Sequence, residues 1–309
     1  MSSKDAARAA AVPFGQPGAI EYLLLAGVSL SWGTSYMFTK VAVEEVPPVT
    51  LVALRLAIAA AVMAAVVTAR RMRWPSARDI AAFVVVGLLS NAAPLCLIAI
   101  SVSHVDSSVT AITMALVPLI TAFLAVFAGS YPSVRSVVGI ALGLVGVFVL
   151  FGPQAFSSFG DGTRGLIAAV AAALIFSVSL FAVRMVRHLD PVMVTALSLI
   201  SAVIWTVPVA LLLDAVPHAW PSPAATGSVL VLGLWNTAAS NLLMFALLRR
   251  AGPTFTSYNN QLVPMVAVVC GTLFLGEALT GASIAGVILV LAGVAISTAR
   301  SRPPPPPPS

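Results

Sequence analysis

Apolar runs of about twenty residues follow one another along the chain, separated by short clusters of charge, Pro and Gly. Runs of that length cross a bilayer as helices, because no water is present there to hold unpaired backbone groups. The pattern predicts ten helices, over 20–41, 48–69, 79–101, 107–128, 134–151, 165–186, 191–213, 225–248, 254–275 and 281–299. The longest connections, 152–164 and 214–224, are Pro, Gly and Ser in large part and leave no room for a separate soluble domain. Basic residues precede the first run, as in a signal peptide. The run is long and nine others follow it, so it reads as a retained helix.

Composition sharpens this to a multi-pass membrane protein. A chain of 309 residues with 60% hydrophobic and 8% charged residues, and a mean hydropathy of +1.04, holds more apolar surface than a soluble domain could bury. The net charge of +6 needs no nucleic-acid partner. With the N-terminus inside, thirteen of the sixteen Lys and Arg fall in inner segments, only Arg164 falls outside, and Lys40 and Arg55 lie in or at the edge of spans. That asymmetry places both termini in the cytoplasm of a bacterial-type inner membrane. No aromatic and basic soluble surface exists for nucleic acid. The flanks, residues 1–19 and the Pro-rich tail 300–309, are expected to be disordered and extended polyproline respectively.

The chain also repeats itself. "GLLSNAAPLCLIAI" from 87 aligns with "GLWNTAASNLLMFA" from 233, and the offset of 146 carries on to the Leu-Val-Pro at 116 and at 262. After a one-residue slip, "FAGS" at 127 meets "FLGE" at 274 and Gly146 meets Gly293. Each copy holds five predicted helices, an odd number, so the second enters the membrane from the other side. The result is an all-α, ten-helix inverted repeat, with copies at 20–151 and 165–299, an architecture in which a site forms between the halves.

"SWGTSYMFTK" in the first helix, "PPVTLVALR" opening the second, the two Leu-Val-Pro helices and the "LFLGE" closing the ninth resemble the drug/metabolite transporter superfamily, EamA type. The likeness covers residues 20 to 299. It implies two EamA repeats, no cofactor, and outward movement of small metabolites, amino acids and drugs among them. Where such proteins often carry Glu at the end of the fourth helix, this chain has Ser130, and only the second copy keeps it, as Glu277.

Polar residues inside the spans are the candidate site. Trp32, Ser35, Tyr36, Thr39 and Lys40 share one face of the first helix. Arg55 lies about 10 Å along the second helix from Pro48. An ionised group there costs at least about 2.5 to 3.5 kcal/mol, so it faces protein or water. It serves either backbone carbonyls of a neighbour or a carboxylate, and it matches an Arg often present in the family's second helix. Asn236, Thr237, Ser240 and Asn241 form a stripe on the eighth helix, facing Ser90, Asn91 and Pro94 of the third. On the ninth, Asn259 and Asn260 share a side, with Tyr258 and Gln261 a quarter-turn away; the fourth offers Thr110, Thr113 and Met114.

The expected substrate-binding set is therefore Trp32, Tyr36, Arg55, Asn91, Thr113, Asn236, Asn241, Tyr258, Asn259 and Asn260. These residues either line a water-accessible cavity or glue helices together through amide hydrogen bonds. Lys40, Glu277, Pro118 and Pro264 are the candidates for coupling or gating: the prolines as hinges, and Glu277 as a proton site or a plain helix-end carboxylate.

Catalysis fits poorly. His104, His188 and His218 lie in loops, no His-Glu-x-x-His or phosphate-binding glycine loop occurs, and Cys96 and Cys270 sit inside spans as small apolar residues. No metal or cofactor is expected. The reading is a secondary transporter of small neutral or zwitterionic metabolites, embedded in lipid and open to coupling with a proton. A passive channel, a scaffold or an accessory subunit are the alternatives, and the sequence leaves oligomeric state unassigned.

Overall fold

The computed structural model describes residues 17–127, 134–151, 161–214, 221–278 and 280–298. Residues 1–16 of the N-terminal flank, the Pro-rich tail, Ser130 and His218 lie outside the described residues. Among the described residues every regular element is helical.

The helices, in chain order, are α1 (Ala19–Val43), α2 (Pro48–Ala69), α3 (Ala77–His104), α4 (Ser107–Phe127) and α5 (Val134–Phe151). The second copy begins with α6 (Asp161–Ala182, ending in a 3-10 turn Val183–Val186) and α7 (Pro191–Leu213). It continues with α8 (Pro223–Gly233, Leu234–Ala239 and Ser240–Thr256 in one run), α9 (Asn259–Leu275) and α10 (Gly281–Thr298). Six of these, α2, α3, α4, α6, α7 and α8, are long and apolar enough to cross a membrane. Shorter apolar helices occupy α5, α9 and α10. α1 misses that standard because Ser29, Ser31, Thr34, Ser35, Thr39 and Lys40 interrupt its apolar positions.

The junction of α8 and α9 differs from the sequence expectation of spans at 225–248 and 254–275. α8 breaks at Gly252, whose φ of 77° and ψ of 172° only glycine adopts without strain, and a helical turn then runs to Thr256 before α9 starts at Asn259. Proline at N1 opens α2, α7 and the first part of α8, where a missing N–H costs nothing.

Packing follows the repeat. α5 packs on α10, α2 on α7, and α4 on α9; α1 packs on α8 and α9 as α6 packs on α3 and α4. Advancing each helix by five positions, cyclically, turns this set of contacts into itself. Glycines set the closest approaches. A Cβ on Gly146 would stand 2.8 Å from the Val290 nitrogen, and one on Gly293 would stand 2.5 Å from the Gly139 oxygen, so α5 and α10 cross backbone to backbone. Gly87 of α3 meets Ser198 and Ser201 of α7, and its repeat partner Gly233 of α8 meets Arg55 and Ile58 of α2. The largest apolar core, including Leu56, Met63, Phe83, Leu199 and Ala202, lies among α2, α3 and α7.

Candidate functional site

Immediately after Gly87 and Gly233 the two repeats do the same thing: Leu88–Ala92 in α3 and Leu234–Ala239 in α8 widen into π-helical turns. A π turn inserts one residue into the i→i+4 ladder and re-aims the side chains it carries. Here those side chains are Ser90 and Asn91 in one repeat and Asn236 and Thr237 in the other. The periodicity of a regular helix gave no sign of these turns. The available signal was a tight glycine followed three residues later by a polar pair, at the same offset in both copies.

Between the repeats lies a cavity of about 350 Å³. α1 contributes Trp32, Ser35 and Tyr36; α2 contributes Arg55; and the π turns contribute Ser90, Asn91, Asn236 and Thr237. Pro94 and Ile98 of α3, Met114 and Pro118 of α4, and Phe176 and Leu180 of α6 form its apolar walls. Asn241 of α8 and Asn259, Asn260 and Pro264 of α9 complete it, with Val194, Thr195 and Ser198 from the start of α7. The lining thus reaches the end of the bundle where α1, α7 and α9 begin. At the opposite end it stops at Arg55 of α2 and Ala111 of α4, short of the contacts where α1 stops and α2 and α4 start, so Arg55 sits towards the floor of the lumen.

The three consecutive amides separate. Asn259 is buried and accepts a 2.8 Å hydrogen bond from the Ser29 hydroxyl of α1, so it holds two helices together. Asn260 is exposed and lines the cavity, while Gln261 does not reach it. Asn236 also joins helices: its Nδ2 donates to the Ser31 carbonyl and, at 3.1 Å, to Thr34 Oγ1. Asn236 Oδ1, Asn259 Nδ2 and Ser90 Oγ are buried without a hydrogen-bond partner among the described residues. Such atoms cost about 1–3 kcal/mol each while unpaired.

The other cavity residues are held in the same way. Trp32 donates from Nε1 to Ser240 Oγ at 3.0 Å, which fixes its ring against the lumen. Asn241 Nδ2 donates to the Thr237 carbonyl at 2.7 Å. Arg55 donates from Nε to Thr237 Oγ1 at 2.7 Å, and that hydroxyl donates to the Leu232 carbonyl five residues back, a contact only the π turn permits.

Two expected binding residues lie off the cavity. Thr113 is fully buried and donates to the Val109 carbonyl of its own helix at 2.9 Å. Tyr258 is 50% exposed and packs edge-on against Phe255 at a centroid distance of 5.9 Å; its backbone is already helical, and like Gln261, three residues on, it faces away from the lumen.

Lys40 and Glu277 also lie away from the lumen, at the closed end. Lys40 Nζ donates to the Val102 and Val105 carbonyls at 2.8 and 3.1 Å, where α3 ends. Glu277 receives four hydrogen bonds at the start of α4: Oε1 from the Ser107 amide (2.7 Å) and hydroxyl (2.6 Å), and Oε2 from the Ser108 amide (3.1 Å) and hydroxyl (2.6 Å). Two more acids at that end cap helices. Asp214 accepts from the Thr50 amide and hydroxyl at 2.6 and 2.8 Å, and Glu45 from the Ser222 amide and hydroxyl at 2.6 and 2.5 Å. Helix N-termini favour negative charge, so the three carboxylates clamp α2, α4 and α8 to the ends of α7, α9 and α1. Sequence reasoning singled out Glu277 but missed Asp214 and Glu45. Next to this clamp, burial and then the negative charge of Glu277 raise the Asp106 carboxyl above its usual range, while Lys40 opposes them.

No group of three or more metal-ligating side chains occurs among the described residues. Pro118 follows a break in α4 at Ala115–Leu116, whereas Pro264 sits inside an unbroken α9.

Comparison with known proteins agrees with this architecture. The sequence pattern of the EamA-like transporter family matches residues 19–152 and again 163–299. The chain is 23% identical to "Uncharacterized transporter YoaV" of Bacillus subtilis (strain 168), over 88% of this chain and 94% of that one. It is 24% identical to an "Uncharacterized transporter" of Archaeoglobus fulgidus, over 89% and 98% of the two chains. With "Uncharacterized inner membrane transporter YedA" of Escherichia coli (strain K12) it shares 25% identity over 81% of each. One solved crystal structure, 21% identical, superposes with a TM-score of 0.65 over 92% of this chain and 99% of its own, a likeness of fold. The two matched repeats together span nearly the whole chain, which is a multi-pass membrane protein and belongs to the EamA-like transporter family.

Proposed function

We propose that this protein is a secondary transporter that exports small neutral or zwitterionic metabolites by alternating access. The observation that carries the reading is the cavity itself, which lies between two repeats, is lined by amides, hydroxyls and aromatic rings, and is closed at one end by helix-end contacts. In this proposal all ten helices span the membrane, the second repeat is inverted relative to the first, and both termini face the cytoplasm. The cavity then opens inward, the state that loads an exporter. The positive-inside asymmetry of Lys and Arg supports that orientation.

The binding residues of the proposal are Trp32, Tyr36, Arg55, Asn91, Asn241 and Asn260, which meet in the lumen; Asn236 and Asn259 stand behind them as helix-joining amides. The clamp of Glu277, Asp214, Glu45 and Lys40 is the outer gate, and opening outward requires these bonds to break. Pro118 and Pro264 are where α4 and α9 would bend. Glu277 is the coupling site of the proposal, because a protonated carboxyl accepts fewer hydrogen bonds from Ser107 and Ser108. Transport unchanged in Glu277→Gln under an imposed pH gradient removes that role.

The test is the extracellular metabolite profile of cells overproducing the wild type against cells with an equally abundant Asn260→Leu variant. The reading expects a small set of compounds to accumulate outside with the wild type only. Profiles matching each other and an empty control would count against export.

A further inference from the structure

Arg55 is 7% exposed and is the one charged side chain among the described residues that line the cavity; the lining includes no Asp, Glu, Lys or His. Its Nε is taken by Thr237. Its two terminal nitrogens have no hydrogen-bond partner among the described residues, yet they are not among the buried polar atoms shut away without one. They therefore face the lumen. A guanidinium fixed at one nitrogen, with its paired N–H fork turned towards a cavity without a counter-charge, is the recognition geometry for a carboxylate.

We infer that the cavity takes its cargo by a carboxylate, bound bidentately to the terminal nitrogens of Arg55 at the closed floor of the lumen. This rests on the reading of the cavity as a cargo site; within that reading it favours zwitterions over neutral cargo and adds simple organic anions as candidates. The Thr237 bond orients the guanidinium plane, so the π turn of α8 is what aims the fork. Trp32, Ile98, Met114, Phe176 and Leu180, which share the lining with Arg55, receive an apolar body. A cation leaves the cavity with an unbalanced charge in a low-dielectric surrounding, and a carboxylate removes it. Phosphate esters fit less well, because one arginine offers too little charge for a dianion. A free ammonium on the cargo would meet the side-chain oxygens of Asn91 and Asn241 and the Tyr36 hydroxyl. The carboxylate is common to amino acids and to simple organic acids, and the experiment separates the two.

The purified full-length protein in lipid nanodiscs is titrated with matched trios of an apolar amino acid, its des-amino acid and its primary amide, such as leucine, 4-methylpentanoate and leucinamide, across a range of side-chain sizes. Binding is read from thermal shift and calorimetry. The inference expects at least one trio in which a carboxylate binds tenfold or more tighter than its amide, with that preference lost in Arg55→Gln and partly kept in Arg55→Lys. Binding by the amino acid alone assigns zwitterions, and binding by the des-amino acid assigns organic anions. If every carboxylate binds no better than its amide, or Arg55→Gln keeps the preference while melting as the wild type does, the inference is overturned. Thr237→Val, which releases the guanidinium without removing its charge, is expected to weaken carboxylate binding less than Arg55→Gln does. A separate flux assay keeps the two readings apart. Export of non-carboxylates in preference to carboxylates by the wild type, unchanged in a correctly folded Arg55→Gln variant, sinks this inference and spares the transporter, whereas carboxylate binding without any flux does the reverse.

Discussion

At the scale of single residues, neighbours in sequence have opposite duties. Asn259 joins α9 to α1 through Ser29, while Asn260 presents its amide to the lumen. Asn259→Leu is therefore expected to destabilise the protein by about 0.6 kcal/mol, and by no more than roughly 1.7, the range of interhelical hydrogen bonds in a membrane. Asn260→Leu should melt like the wild type and lose transport. Thermal melting in detergent beside a flux assay checks both, and a reversal of the two phenotypes would contradict the assignment. That three adjacent amides cannot share one neighbour was legible in the sequence. Which of them faced the cavity was not, because the break at Gly252 and the turn before Asn259 reset the rotation of α9. Tyr258 packs on Phe255 instead of the lumen, and Thr113 turned to its own backbone.

At the scale of elements, the helices were legible from their apolar runs and the π turns were not, since a one-residue insertion leaves length and hydropathy unchanged. The helix-end clamp was hidden for another reason. Each acid pairs with a helix N-terminus more than 150 residues away, as Asp214 does with Thr50 and Glu277 with Ser107, and no local pattern carries such a contact. Glu277→Gln is expected to cost about 1–2 kcal/mol by loss of charge at the start of α4. In a Ser107→Ala/Ser108→Ala background the same change should cost clearly less, and full additivity of the variants in a melting cycle would deny the contact.

The second clamp predicts a pH dependence. Hydrogen bonds from the Ser222 hydroxyl and then its amide hold the Glu45 carboxyl below its usual value of 4.5, against a smaller opposing effect of burial. A depressed folded value means that the contact contributes its stability above the unfolded value and loses it as pH falls through the lower folded one. Melting temperatures of wild type and Glu45→Gln should thus differ by a constant amount above about pH 5 and converge in more acid solution. A difference that grows on acidification would refute the contact.

At the scale of the whole molecule, the repeat is the organising fact and was plain in the sequence, down to the pairing of Gly146 with Gly293. Their function at the α5–α10 crossing became visible only in three dimensions. Leucine at either position has backbone, not a flexible side chain, in its way. Gly146→Leu and Gly293→Leu are each expected to destabilise by about 1–3 kcal/mol or to displace the pair. Wild-type melting and monodispersity in both would contradict the close crossing. The polar stripe of α1 that suggested a cavity also kept that helix below the hydropathy expected of a span, because a helix surrounded by α8, α9, α3 and α4 meets protein rather than lipid.

In the proposed transport cycle the cavity is exposed alternately to the two sides of the membrane. Liposomes containing the purified protein and loaded with a small-metabolite extract test it most directly, by mass spectrometry of what leaves with and without the same extract outside. The account predicts a small set of compounds whose exit is accelerated by the external extract, because a loaded carrier returns faster than an empty one. Exit that is unaffected or slowed by external extract would describe a passive pore and contradict the account.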